Sequence, residues 1–170
     1  AGAPWTLITY MAEGGTSRDF PRARRWAWQN KKSLDGLLEI LVDATISFLS
    51  LQAQSGAQTL MLFDSWASAV PATQRDWLVI KPVRAIVEGV RKNGHKQPII
   101  GFPKGIGEGL IRYAAESGVD AIGLDHGIDP MWAGQNLPVK MPVQGNLDPL
   151  SLLSAGAEMF RDIDHILDAF

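Results

Sequence analysis

Short, nearly continuous apolar runs that end in polar residues recur along this chain, and helix-length segments separate them. The first run is Thr59-Leu60-Met61-Leu62-Phe63-Asp64-Ser65. The others are Pro98-Ile99-Ile100-Gly101-Phe102, Ala121-Ile122-Gly123-Leu124-Asp125 and Met141-Pro142-Val143-Gln144-Gly145-Asn146. A strand with one wet face alternates apolar and polar residues, whereas a continuous apolar run predicts a strand buried on both faces. Helical segments are expected over about Gln74 to Lys92, Gly107 to Ser117, a shorter Met131 to Gln135, and Glu158 to Phe170. Strand then helix, repeated, demands right-handed crossovers and gives a parallel sheet. The expected fold class is α/β, part of a TIM-type (β/α)8 barrel, with about four βα units. A closed barrel of this kind takes roughly 250 residues, so 170 residues supply about half of one.

Upstream of the first run, Ala1 to Tyr10 reads as a Gly-Ala-Pro-Trp turn and a short apolar stretch. Gly14 and Gly15 break the pattern, and Thr16 to Asp19 reads as a helix start. A basic helical segment with Arg22, Arg24, Arg25 and Trp26 follows. Leu34 to Leu51 is the strongest helix, because Leu34, Leu37, Leu38, Leu41, Ile46 and Leu49 hold an apolar stripe near the helical period. Ser55-Gly56-Ala57-Gln58-Thr59-Leu60-Met61-Leu62 echoes Ser117-Gly118-Val119-Asp120-Ala121-Ile122-Gly123-Leu124, with a Gly ending a helix just before a strand. No linker divides the chain, so residues 1–170 are expected to form a single partial barrel domain. The opening Ala1 without an initiator Met leads to the expectation of a larger parent protein. A half-barrel leaves two strand edges open and one sheet face uncovered, which any parent or partner must cover.

The formal net charge of −2 gives no support for a nucleic-acid or anionic-membrane partner. No apolar run reaches the roughly 18 residues of a membrane span. With no cysteine, thiolate catalysis, disulfides and Cys-based zinc sites are excluded within these residues, and a cytoplasmic setting is expected.

In βα barrels, chemistry sits at the C-terminal ends of the strands. That expectation puts Tyr10, Asp64-Ser65-Trp66, Lys104, Asp125-His126 and Gln144-Gly145-Asn146 on one rim. Tyr10 is a candidate hydrogen-bond or proton donor, against a plain packed tyrosine. Ser65 lacks a Gly-x-Ser-x-Gly elbow, so it reads as a substrate-binding hydroxyl or a helix cap rather than a nucleophile. Gly101-Phe102-Pro103-Lys104-Gly105-Ile106-Gly107 fails the phosphate-loop pattern, which leaves Lys104 as an anion ligand or a solvated loop residue. His95 reads as a surface turn residue and His165 as an exposed helical one. His126 alone has a site-like location, and the three histidines show no paired ligand spacing, so no metal site is expected. Arg22, Arg24 and Arg25 read as a solvated helix face rather than a trap for a polyanion.

Ala1-Gly2-Ala3-Pro4-Trp5-Thr6-Leu7-Ile8-Thr9-Tyr10-Met11-Ala12-Glu13-Gly14 resembles a characteristic segment of the uroporphyrinogen decarboxylases. Phe63-Asp64-Ser65-Trp66-Ala67, Gly123-Leu124-Asp125 and Gln144-Gly145-Asn146-Leu147-Asp148-Pro149 match that family in order and approximate spacing. The resemblance runs over essentially the whole chain, as a middle-to-C-terminal portion of such an enzyme. It implies cofactor-free removal of carboxylates from the acetate arms of a tetrapyrrole, uroporphyrinogen III, to give coproporphyrinogen III in heme biosynthesis. The protonated pyrrole itself then serves as the electron sink. It also implies Tyr10 and Ser65 as substrate-site residues, leaves the catalytic acid unassigned, and implies a homodimer or association through open barrel edges. The family's arginine-bearing N-terminal segment, pyrrole-binding aspartate and Gly-His-Gly histidine have no counterpart here. Asp64, Asp125 and His126 are not promoted in their place, and Asp125-His126-Gly127 departs from the usual Asp-Trp-Thr. The isolated chain is therefore expected to be inactive. Two alternatives stand beside this reading: a non-catalytic half-barrel that assembles with itself or a partner, and a zinc-dependent methyltransferase of the same superfamily. The latter wants His and Cys ligands, and the chain has no Cys and no convergent pair among its three His.

Overall fold

A computed structural model describes residues 1–15 and 17–170. Four parallel strands, β1 (Leu60–Asp64), β2 (Ile99–Pro103), β3 (Ala121–Gly123) and β4 (Val143–Gln144), lie side by side in chain order. A doubly wound sheet reverses its strand order at a switch point, whereas sequential order is how a barrel wall is built. Between and after them run α4 (Lys81–Lys92), α5 (Gly109–Glu116), α6 (Pro130–Asn136), α7 (Pro149–Ser154) and α8 (Ala157–Leu167). Before β1 come α1 (Pro4–Glu13), α2 (Pro21–Gln29) and the long α3 (Lys31–Gln54). The four-strand α/β expectation holds, and the sheet is open.

The start of the chain differs from its reading. Ala1 to Ala3 is not a free turn but a short extended segment paired with β1. Phe63 N–H donates to Ala1 O at 2.8 Å and Ala3 N–H donates to Phe63 O at 2.8 Å. Pro4 then opens a helix, because a proline at the first helical position loses no hydrogen bond and has its φ already set. Trp5 and Ile8, fully buried on one face of α1, drive its docking. The helix ends at Gly14, whose φ of 67° admits the left-handed turn. The helix start read at Thr16 to Asp19 falls in part outside the described residues, and α2 begins at Pro21. Its first turn is capped from α1, since Glu13 Oε1 accepts from Arg22 N at 2.9 Å and Ala23 N at 3.1 Å. A carboxylate there also meets the positive end of the helix dipole.

The core lies between the helices and one face of the sheet. Leu60 and Leu62 of β1 and Ile99 of β2 are buried against it, with Leu34 and Leu49 of α3 and Ile86 of α4. The opposite sheet face is only half covered. Met61 and Phe63 lie opposite Ile100 and Phe102 in register, and Phe63 remains 42% exposed. Continuous apolar runs predict strands buried on both faces. In β1 and β2 the burial alternates instead, because the face that looks into a barrel has nothing opposite it among the described residues.

The helix read from Gln74 to Lys92 is divided. Ala72–Gln74 forms a 3-10 turn and Asp76–Ile80 a π turn before α4. Pro82, at the start of α4, supplies the reason. Its ring clashes with the carbonyl four residues back and its nitrogen donates nothing, so the preceding turn widens.

Candidate functional site

β1 delivers Asp64 and then the Ser65-Trp66 turn at the C-terminal edge of the sheet. Alternation along β1 sends Leu60, Leu62 and Asp64 into the helix layer, opposite in sense to Met61 and Phe63. Asp64 is therefore a buried neighbour of α1 and α5, while the next residue, Ser65, is half-buried in the turn. The helix cap once open to Ser65 is not formed. Trp66 is the cap of the following 3-10 turn, and no side chain caps it.

A compact set of hydrogen bonds ties α1 to that turn. Thr6 Oγ1 donates to Asp64 Oδ1 at 2.7 Å and accepts from Trp66 N–H at 3.3 Å. Trp5 Nε1 donates to Trp66 O at 3.0 Å. Tyr10 rides on the same helix one turn further on and is 52% exposed. It lines a cavity of about 440 Å³ with Gly15, Ser17, Phe20 and Trp66. Ser65 does not line this cavity; its neighbour Trp66 does. The fold thus brings the Tyr10 helix and the Ser65 turn together through Thr6, Asp64 and Trp66.

Burial pushes the Asp64 carboxyl up from 3.8 to about 7, although the Thr6 hydrogen bonds pull it down. Its second oxygen, Oδ2, has no partner among the described residues, and neither does the buried Tyr113 hydroxyl of α5. Burial first, and the Asp64 charge second, push the Tyr113 hydroxyl upward too. Tyr113 reaches the sheet because Gly101 has no side chain. A Cβ there would lie 2.4 Å from the Tyr113 hydroxyl.

The rest of the rim is mostly joinery. Asp125 accepts from Gly105 N at 2.8 Å and Gly127 N at 2.9 Å, one on each carboxylate oxygen, and so pins two loops. Asn146 is buried and donates to the carbonyls of Asp125 at 3.0 Å and Ile128 at 2.6 Å. Lys104 is exposed in a turn, in keeping with its solvated reading. His126 and His165 are both exposed and share a separate cavity of about 200 Å³ with Asp148 and Asp162. His95 sits half-buried in the turn after α4. Among the described residues, no group of three or more acidic or histidine side chains converges for a metal ion.

Arg22 and Arg25 lie exposed on α2, as read. Arg24 is exposed on α2 as well. With Arg18 and Arg75 it lines a cavity of about 480 Å³ that abuts Phe20 and Trp66. The sequence reading missed Thr6, Phe20, Arg18 and Arg75. An Asp closing an apolar strand was a usable signal for a buried polar partner, but nothing local announced that Thr6 would be it.

The whole chain, residues 1–170, matches the family model described as "Uroporphyrinogen decarboxylase (URO-D)". It is 48% identical over 168 residues to a uroporphyrinogen decarboxylase of Maricaulis maris, covering 99% of this chain and 49% of the relative. It is 44% identical over 170 residues to one from Novosphingobium aromaticivorans, covering all of this chain and 50% of the relative. A Sphingopyxis alaskensis relative of the same name is 45% identical, with the same coverage on both sides. The chain spans about half the length of the curated relatives it matches.

Proposed function

Because the chain belongs to the uroporphyrinogen decarboxylase family, we propose that it supplies part of the substrate site of a uroporphyrinogen decarboxylase. The reaction converts the four acetate side chains of uroporphyrinogen III to methyl groups and gives coproporphyrinogen III, without a cofactor. When CO₂ leaves an acetate arm, the electron pair of the broken C–C bond enters the protonated pyrrole. A proton then adds to the exocyclic carbon, and the ring releases the proton it had taken up, which restores the neutral pyrrole. The protein has to hold carboxylates, supply protons and orient the pyrrole.

One observation carries this reading. Tyr10 is half exposed and lines an apolar-walled cavity, on a helix tied by Thr6 and Trp5 to the Ser65 turn. Tyr10 is a donor to a substrate carboxylate or a reacting carbon, and Ser65 is a hydroxyl ligand to a carboxylate. The open sheet face around Phe63 and Phe102 supports a further step. This surface associates with another barrel segment or a second copy, and the chain alone does not complete the site. The absence of cysteine is in keeping with a cytoplasmic setting. No helix of the described residues is long and apolar enough to cross a membrane.

Titration of the 170-residue chain with uroporphyrin, paired with an anaerobic turnover assay on uroporphyrinogen III, tests both parts. Binding that weakens about tenfold in Tyr10→Phe, from loss of a charge-assisted hydrogen bond, with no turnover is the expected result. Robust turnover by the chain alone would refute the incomplete site. No binding at all would refute the substrate assignment.

A further inference from the structure

Two buried N–H donors without an acceptor belong to residues lining one cavity. They are Trp66 Nε1 and Arg75 Nε, which have no hydrogen-bond partner among the described residues. Buried donors are almost always satisfied, and these two belong to side chains that wall the same cavity. The cavity, about 480 Å³, is lined by Arg18, Arg24 and Arg75 against a single acid, Asp19. None of the three arginines forms an ion pair among the described residues. Arg24 has one long hydrogen bond, 3.5 Å to the Asp19 carbonyl. Gly109 leaves the Arg75 guanidinium its space, since a Cβ there would lie 2.7 Å from Nη1.

Phe20 and Trp66, with ring centroids 4.8 Å apart, line this cavity and the Tyr10 cavity alike. A ligand with an apolar body and acidic arms fits such a pair of sites. Its body lies along the aromatic wall, and an arm reaches the arginines, whose planar forks suit carboxylate oxygens. We propose that the Arg18–Arg24–Arg75 cavity is a carboxylate-binding subsite for one acidic arm of a polycarboxylate ligand seated in the Tyr10 cavity. This rests on the function proposed above, whose substrate carries such arms around a macrocycle.

Isothermal titration of the full chain with mellitate (benzenehexacarboxylate) and with uroporphyrin separates the subsite from that function. Arg18→Gln and Arg24→Gln, both on exposed residues, and Arg75→Gln are each expected to weaken mellitate binding about tenfold. Uroporphyrin binding weakens in the same variants, and both affinities fall as salt rises. Tyr10→Phe weakens uroporphyrin alone. If Arg75→Gln fails to fold, the two exposed variants still decide the matter. Mellitate that fails to bind, or binds equally to Arg18→Gln and Arg24→Gln, overturns the subsite. Uroporphyrin binding that depends on Tyr10 but ignores the arginines overturns the subsite and leaves the function standing. Arginine-dependent mellitate binding with no uroporphyrin binding keeps the subsite as an anion site and removes the tetrapyrrole.

Discussion

Asp64 is the residue whose surroundings most oppose its chemistry. A carboxyl sealed under α1 and α5 gives up water that one hydroxyl replaces only in part, so its folded value rises from 3.8 to about 7. Below about pH 4 the carboxyl is protonated in both folded and unfolded chains and stability is unaffected. From there to about pH 7 the folded chain keeps a proton that the unfolded chain has released, so stability falls as pH rises. Above that range the penalty levels off at up to on the order of 4 kcal/mol. Asp64→Asn keeps the acceptor and removes the titration. Its melting temperature is expected to gain on that of the unsubstituted chain between about pH 5 and pH 8; parallel curves would refute the buried titration. Thr6→Val keeps shape but removes the hydroxyl that Asp64 and Trp66 share. It should cost about 1–3 kcal/mol in denaturant melts, with more of the loss above neutral pH, where Asp64 is charged and loses its donor.

At the level of elements, β2 and α5 meet through one glycine. Gly101→Ala places a methyl against the Tyr113 ring, whose Cε1 would be 2.8 Å away as well as the hydroxyl at 2.4 Å. A destabilisation of about 1–3 kcal/mol is expected from overpacking. Tyr113→Phe removes a buried hydroxyl that has no partner and should be neutral within about 1 kcal/mol. The double variant should recover only part of the loss, because ring carbon as well as oxygen is in the way; urea melts of the four proteins give the coupling. The short α6 depends on its cap. Asp129 accepts from Trp132 N at 2.9 Å, and Asp129→Ala should lower stability by about 1 kcal/mol.

For the whole molecule, the unevenness of burial sets behaviour. α3, α4 and the first two strands share the core, whereas α7 and α8 contain no buried residue. Amide exchange is expected to be fastest at the helical positions of Ala157–Leu167 and slowest in α3 and α4; equal protection would contradict the packing. The half-open face at Phe63 and Phe102 and the short edge strand β4 leave apolar surface and backbone hydrogen-bonding groups uncovered, which is the basis of the proposed association. Sedimentation across a concentration series should show association of the unsubstituted chain, reduced in Phe63→Lys.

Repetition of strand and helix, and the turn glycines that punctuate it, follow from local chemistry, so the parallel α/β class and all four strands were legible in the residues alone. So was the position of Asp64-Ser65 at a strand end, since an apolar run closing in polar residues has only one sensible orientation in a barrel. Pro4 and Trp5 misled because a proline followed by an aromatic suits a turn as well as a helix start; what chose the helix was burial of Trp5 and Ile8. The division of the helix before Pro82 has a local cause, the proline itself, and so belongs to the sequence. The partners of Asp64, the orphan donors of Trp66 and Arg75, and the gathering of Arg18, Arg24 and Arg75 were settled only by tertiary structure. Periodicity reports which way a residue faces within its own element, but not which residue some sixty positions away will face it. That choice is made when the helix layer closes over the sheet, because only then does burial set the cost of leaving a polar group alone.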